Sequence, residues 1–192
     1  VVMRAAAEHL TPVTLELGGK SPAIVSRHAD LEVTSRRLAW GKFMNAGQTC
    51  IAPDYVLVDE SVKDRFVDLL TGAIGDFYGA DPKSTKDLGR IVNERHHDRL
   101  TGLLKDGGGT VAIGGDADRA TKFLAPTVVV DPDLDSGLMN EEIFGPVLPV
   151  VSVSSVDEAI SFVNARPKPL ALYIFSKAKE TADRVLERTS SG

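Results

Sequence analysis

The sequence predicts an α/β fold: a mainly parallel, twisted sheet flanked by helices. Three observations carry this. Short β-branched or aliphatic runs alternate with helical patterns of about 10–16 residues, the signature of βαβ units. Of the 192 residues, 43% are hydrophobic and 26% charged, an ordinary globular composition long enough to bury a core. Gly- and Pro-bearing turns punctuate the alternation throughout.

The elements follow in order. Val2 to Leu10 reads as the later part of a helix. Val13 to Leu17 and Ala23 to Ser26 are short, aliphatic, strand-like runs. Asp30 is placed to cap a helix from Leu31 to about Asn45, with Leu31, Leu38, Phe43 and Met44 on its buried face and Gly47 as the C-terminal glycine. Tyr55 to Val58 is a strand. Ser61 and Asp64 resemble a capping box, ahead of a helix carrying Val62, Phe66, Leu69, Leu70, Ile74 and Phe77 at i, i+3 and i+4 spacings. Gly79 to Asp87 is a polar turn region. Asn93 caps a helix from Glu94 to Lys105, which Gly107-Gly108-Gly109 ends. Thr110 to Ile113, Thr127 to Val130 and Val147 to Val153 are strands, the last expected at an edge or bulge because of Pro149. Ser155 caps a helix bearing Ala159, Ile160, Phe162 and Val163. Leu170 to Phe175 is a strand, and Ala178 to Arg188 the last helix.

Composition excludes several functions. The net charge of −5 offers no basic footprint for nucleic acid or for an anionic membrane surface. No run reaches the ~18–20 apolar residues that span a bilayer. A single cysteine forms no internal disulfide, which makes a cytoplasmic location the default expectation. His9, His28, His96 and His97 show no ligand spacing and Cys50 has no cysteine partner, so no metal is expected. His96-His97 is expected on a helix surface. Gly107-Gly108-Gly109 lacks the Lys-Ser/Thr of a phosphate-binding loop.

Three runs carry chemistry. Cys50 closes Met44-Asn45-Ala46-Gly47-Gln48-Thr49-Cys50, a polar loop rather than a core strand. A thiol needs help to ionise near neutrality, and a helix C-terminus near Gly47 opposes it. Glu16 lies thirty-four residues upstream in Leu15-Glu16-Leu17-Gly18-Gly19-Lys20-Ser21-Pro22. Partial burial raises a carboxyl pKa toward the range of a general base, and Gly18-Gly19 lets backbone approach a ligand. In Glu141-Glu142-Ile143-Phe144-Gly145-Pro146, a carboxylate can accept both hydroxyls of a ribose and the aromatic can pack on a nicotinamide. Each run also has a bland reading: a buried thiol, a salt-bridge partner, a solvated turn. In parallel sheets the active loops usually lie beyond the strands' carboxyl ends. Cys50 lies instead between a helix and the next strand, so the sequence does not assign it to that crevice.

Together the three runs resemble, in order, the glutamate, cysteine and Glu-Ile-Phe-Gly-Pro signatures of the aldehyde dehydrogenase superfamily, over the whole chain. Trp40-Gly41-Lys42-Phe43-Met44-Asn45, Ala52-Pro53-Asp54-Tyr55 and Lys168-Pro169-Leu170-Ala171-Leu172-Tyr173 are similar to its class 3 branch, which acts on fatty and aromatic aldehydes.

The resemblance implies an NAD(P)-dependent oxidation of aldehydes to carboxylic acids, with Cys50 as nucleophile and Glu16 as base. It places Glu142 on the nicotinamide ribose, with Phe144 and Gly18 beside the cofactor, NAD or NADP. It puts the Cys50 main-chain N–H in the oxyanion hole. It implies a medium- or long-chain aliphatic or aromatic aldehyde as substrate, and a homodimer for the full-length enzyme. Residues 1–12 are then expected to be a remnant of the cofactor-binding domain. Residues 13–192 are expected to form a C-terminally truncated catalytic domain with little dehydrogenase turnover alone. Two other readings compete: a non-redox relative acting as a binding protein, and a cofactor-independent thioesterase or esterase using the same pair.

Overall fold

The structure, a computed structural model, describes residues 1–192. Helix α1 (Val2–Ala7) buries none of its residues. The strand expected over residues 13–17 does not form: the chain runs there without a ladder partner, and Leu15 and Leu17 stay exposed. Aliphatic content makes a strand only where a neighbouring strand supplies hydrogen bonds and a packing face. Strand β1 is Pro22–Val25, buried throughout. The Asp30 carboxylate accepts the Val33 N–H and starts α2 (Leu31–Phe43). That helix stops short of Asn45, because Asn45 and Ala46 (both φ 53°) and Gly47 (φ 71°) turn left-handed.

Strand β2 is Tyr55–Asp59 and helix α3 Lys63–Tyr78. The expected capping box at Ser61 is absent. Asp59 instead accepts both the N–H and the O–H of Ser61, forming a tight turn ahead of α3. Asn93 caps α4 (Glu94–Asp106) through the His96 N–H, as its position implied. Then come β3 (Thr110–Ile113), the two-residue strands β4 (Ala117–Asp118) and β5 (Phe123–Leu124), β6 (Thr127–Val130), the single turn α5 (Gly137–Asn140) and β7 (Val147–Val153). The β4–β5 pair and α5 are too short for a period to show in the sequence. The chain closes with α6 (Val156–Asn164), β8 (Tyr173–Phe175) and α7 (Lys179–Arg188). β8 begins later than Leu170 because that stretch bonds elsewhere: the Ala171 N–H donates to the Ser21 hydroxyl, outside any ladder.

The main sheet has the order β3-β6-β7-β2-β1-β8, parallel except for the β3–β6 pair. β7 is therefore central, not the edge that Pro149 suggested. Its ladder to β2 starts at Val150, one residue beyond the proline, so the missing N–H falls where that ladder has not begun. Alternation along the strands feeds two layers. Ala23, Val25, Val56 and Val58 face α2 and α3, with Leu38, Phe66 and Leu70 filling that side. Ile24, Tyr55, Leu57 and Val151 face α6 and α7 with Ile160, Val163 and Val185. No helix is long and apolar enough to cross a membrane.

Candidate active site

Four neighbouring strands, β7, β2, β1 and β8, run parallel side by side. The segments that enter them therefore meet at one edge of the sheet, the amino-terminal edge. Those segments carry Gly18 to Ser21 before β1, Cys50 to Asp54 before β2, Glu141 to Pro146 before β7, and Arg166 to Leu172 before β8. The usual expectation of a crevice beyond the carboxyl ends does not hold for these runs.

The thiol loop is shaped by its left-handed turn. The Asn45 amide donates to the Gln48 carbonyl at 3.0 Å, and the Gln48 amide returns a bond to the Asn45 carbonyl at 3.1 Å. Gln48 also donates to the Arg90 carbonyl and accepts the Val92 N–H, anchoring the loop to the segment before α4. Gly47 touches the Gly145 backbone so closely that a Cβ would overlap the Gly145 carbonyl. The cysteine run and the Glu-Ile-Phe-Gly-Pro run thus meet main chain to main chain. Cys50 itself is exposed, which removes the buried-thiol reading. Its main-chain N–H donates to no protein acceptor.

Beside the thiol lies a largely apolar cleft of about 510 Å³, walled by Trp40, Met44, Thr49, Ile51, Tyr173 and Phe175 among others. Trp40 is 61% exposed, an unusual position for the chain's only tryptophan. Tyr173 donates to the Ile51 carbonyl at 2.6 Å and so braces the thiol loop from β8. Partial burial, with the Cys50 sulfur nearby, pushes the Tyr173 hydroxyl pKa up.

Glu16 is exposed on the segment leading to Gly18 and makes no side-chain hydrogen bond or ion pair, with Cys50 or any other group. Glu142 and Gly18 are in contact: a Cβ on Gly18 (φ 74°) would lie 2.8 Å from Glu142 Oε2. The neighbouring Gly19 N–H favours the charged form of the Glu142 carboxylate. Burial nevertheless holds the Glu142 pKa above the ordinary glutamate value, with the Asp54 charge adding to it.

Phe144 sits at φ 52°, 36% exposed, its ring edge-on to His96 at 6.2 Å. Arg99 Nε donates to His96 Nδ1 at 3.2 Å, so His96 carries its proton on Nε2 and donates to the Phe144 carbonyl at 2.8 Å. Arg99 also donates to the carbonyls of Glu142 and Ile143. Helix α4 therefore clamps the loop that carries Glu142 and Phe144. The pair expected on the surface is not there: His97 is buried with Nε2 on the Phe123 carbonyl, and His96 is half-buried against the loop.

Sequence reasoning missed Lys20, Lys42 and Asp54. Lys20 donates to Asp54 at 2.7 Å and to the Leu138 and Glu141 carbonyls at 2.7 and 2.9 Å. Asp54 also accepts the Ile143 N–H. All three residues stood inside the quoted runs, but only long-range packing shows them as one cluster.

The family model described as the aldehyde dehydrogenase family matches residues 1–192. Over all 192 residues the chain is 56% identical to aldehyde dehydrogenase family 3 member A2 of Mus musculus, covering 39% of it. It is 54% identical to the dimeric NADP-preferring aldehyde dehydrogenase of Canis lupus familiaris, covering 42% of that protein. The fold superposes on AldH of Staphylococcus aureus in its substrate-bound state with a TM-score of 0.95 and 48% identity, over 98% of this chain and 41% of that one. An NAD-dependent aldehyde dehydrogenase from Sinorhizobium meliloti gives a TM-score of 0.88 at 31% identity, over 100% of this chain and 39% of that one. The chain spans about 40% of the length of the curated relatives it matches. On the match to the family model and the identity to family 3 members, this chain belongs to the aldehyde dehydrogenase family, on its class 3 branch.

Proposed function

We propose that this chain is the catalytic part of an NAD(P)-dependent aldehyde dehydrogenase, with Cys50 as nucleophile and Glu16 as base. One observation carries the reading. The exposed thiol opens beside an apolar cleft, and its loop lies backbone to backbone against the loop bearing Glu142 and Phe144. The cleft suits an aliphatic or aromatic aldehyde, because Trp40, Met44, Ile51 and Phe175 offer apolar walls, with Arg37 the one charged residue among those that line it. Residues 1–12 then close a preceding cofactor-binding domain and 13–192 make the catalytic domain; full-length enzyme is a homodimer.

The residues fit a nicotinamide cofactor. The Glu142 carboxylate lies against Gly18 with acceptor capacity for a ribose diol, and Phe144 presents an exposed ring. The bound dinucleotide supplies a hydride acceptor. The chain supplies the rest. The Cys50 thiolate adds to the aldehyde carbon, forming the C–S bond of a thiohemiacetal. The unpaired Cys50 N–H donates to the new oxyanion. Loss of hydride leaves a thioester on Cys50. Glu16 takes a proton from water, whose oxygen attacks the thioester and releases the carboxylic acid and the thiolate. For that step Glu16, which is exposed and unbonded, must come within hydrogen-bond reach of a water above Cys50.

Intact-mass measurement after brief exposure to an activated acyl ester at neutral pH tests the pair without nucleotide. One acyl adduct should form on the wild type, none on Cys50→Ala, and a longer-lived one on Glu16→Gln. An adduct that survives Cys50→Ala, or one whose lifetime ignores Glu16→Gln, would overturn the assignment of that residue.

A further inference from the structure

Asp54 is the meeting point of three of the segments that enter the sheet. It lies four residues after Cys50, on the thiol loop. Its main-chain N–H donates to the Ser21 carbonyl at 2.7 Å, at the entry to β1. Its carboxylate accepts Lys20 at 2.7 Å and the Ile143 N–H at 3.1 and 3.2 Å, one residue past Glu142. Lys20 uses its three protons on Asp54 and on the carbonyls of Leu138 and Glu141, so it grips the Glu142 loop from the other side.

Lys42 joins from α2. It is fully buried, its Nζ lies 3.5 Å from Asp54 Oδ1, and it has no better partner. A buried ammonium with one long contact is a poor source of stability, and Lys20 still pairs with Asp54 when an apolar side chain of the same length replaces Lys42, so that change leaves no unpaired buried charge. Lys42 faces Asp54 Oδ1 while Lys20 holds Oδ2, so the two cations flank the carboxylate whose oxygens accept the Ile143 N–H. Burial drives the Lys42 pKa down, against the pull of Asp54, yet only to about 8, so the side chain is still mostly charged at neutral pH.

We infer that Lys42 and Lys20, acting through Asp54, are positioning residues that hold the Glu142 loop at a set distance from the Cys50 loop. The inference rests on the roles proposed above for Cys50 and Glu142 and adds what sets their separation. Cys50 and Glu142 come from segments about ninety residues apart, with Gly47 against Gly145 as a direct backbone contact between them. A sub-ångström slip between the two would misalign a substrate on Cys50 with a cofactor on Glu142. The Lys20–Asp54–Lys42 cluster is the polar bond between the same two loops.

The Ile143 amide reads this latch directly. Its hydrogen-exchange rate is measured in the 192-residue chain against that of Leu57, a core amide of β2. In Lys42→Met the Ile143/Leu57 ratio should rise at least tenfold while the thermal midpoint stays level or rises. Lys42→Arg, which keeps the cation, should restore the ratio. Lys20→Gln should raise it too, and serves if the Lys42 variants do not fold. An unchanged ratio in a folded variant would overturn the inference. So would acceleration of both amides in step with a lower midpoint, the mark of a merely structural lysine. Acylation of wild-type Cys50 is followed in the same samples. Its absence would defeat the proposed function, while the Ile143 comparison would still decide the latch.

Discussion

At the scale of single residues, the three signature runs pointed to the proposed chemistry but not to the residues packed around it. Cys50 was identifiable because it is the only thiol and lies in a polar loop, and the structure leaves it exposed. Glu142 was a candidate from its run, and the structure brings it into contact with Gly18 of the Gly-Gly run. Gly47 was expected as an ordinary helix-ending glycine. Its requirement is stricter: a left-handed φ and no space for a Cβ against the Gly145 carbonyl. Gly47→Ala is therefore expected to destabilise the chain by about 2–4 kcal/mol in urea unfolding, since strained backbone and a main-chain overlap add. It should also slow Cys50 acylation roughly tenfold. An alanine variant with unchanged stability would show that the two loops part without cost. Lys42 was invisible because a lysine in a helical run reads as solvated; only tertiary burial makes it unusual.

At the scale of elements, periodicity recovered the longer helices and the main strands. Local rules failed where a distant partner decides. Residues 13–17 had strand-like composition without a ladder, and Pro149 looked like an edge marker in a strand that packs centrally. Capping rules succeeded at Asp30, Asn93 and Ser155, where the acceptor lies three residues from its donor. They failed at Ser61, whose hydroxyl is drawn to the nearer Asp59. The α6 cap is doubled: Ser155 accepts the Glu158 N–H, and Glu158 accepts the Ser154 N–H and O–H. Ser155→Ala should thus cost about 1 kcal/mol. For a domain of this size that lowers the thermal midpoint by roughly 2–4 °C. No change in midpoint would mean that α6 is held by its packing on β1, β7 and α7 rather than by its cap.

At the scale of the whole molecule, the buried cluster couples stability to pH. Burial holds Lys42 at about 8 in the folded chain against 10.5 as its ordinary value. Between those values the unfolded chain keeps a proton that the folded chain has lost. Unfolding free energy from this group therefore increases with pH across that window, and below pH 8 the charged side chain opposes folding. Lys20 is shifted the same way, chiefly by burial. Urea midpoints at pH 7.5 and 9.5 should rise more for the wild type than for Lys42→Met. Equal slopes would show that Lys42 titrates normally. The sequence alone determined the fold class, the longer helices, the order of the three runs and the family they resemble. All of these are written in local spacing and residue type, which a chain carries wherever it folds. Only the tertiary structure decided that the runs gather at the amino-terminal edge of the sheet. It also decided that Pro149 sits centrally, that α4 clamps Phe144, and that Lys20, Asp54 and Lys42 form one charged cluster. Those outcomes depend on which strands lie side by side, and strand order is set by contacts between residues far apart in sequence.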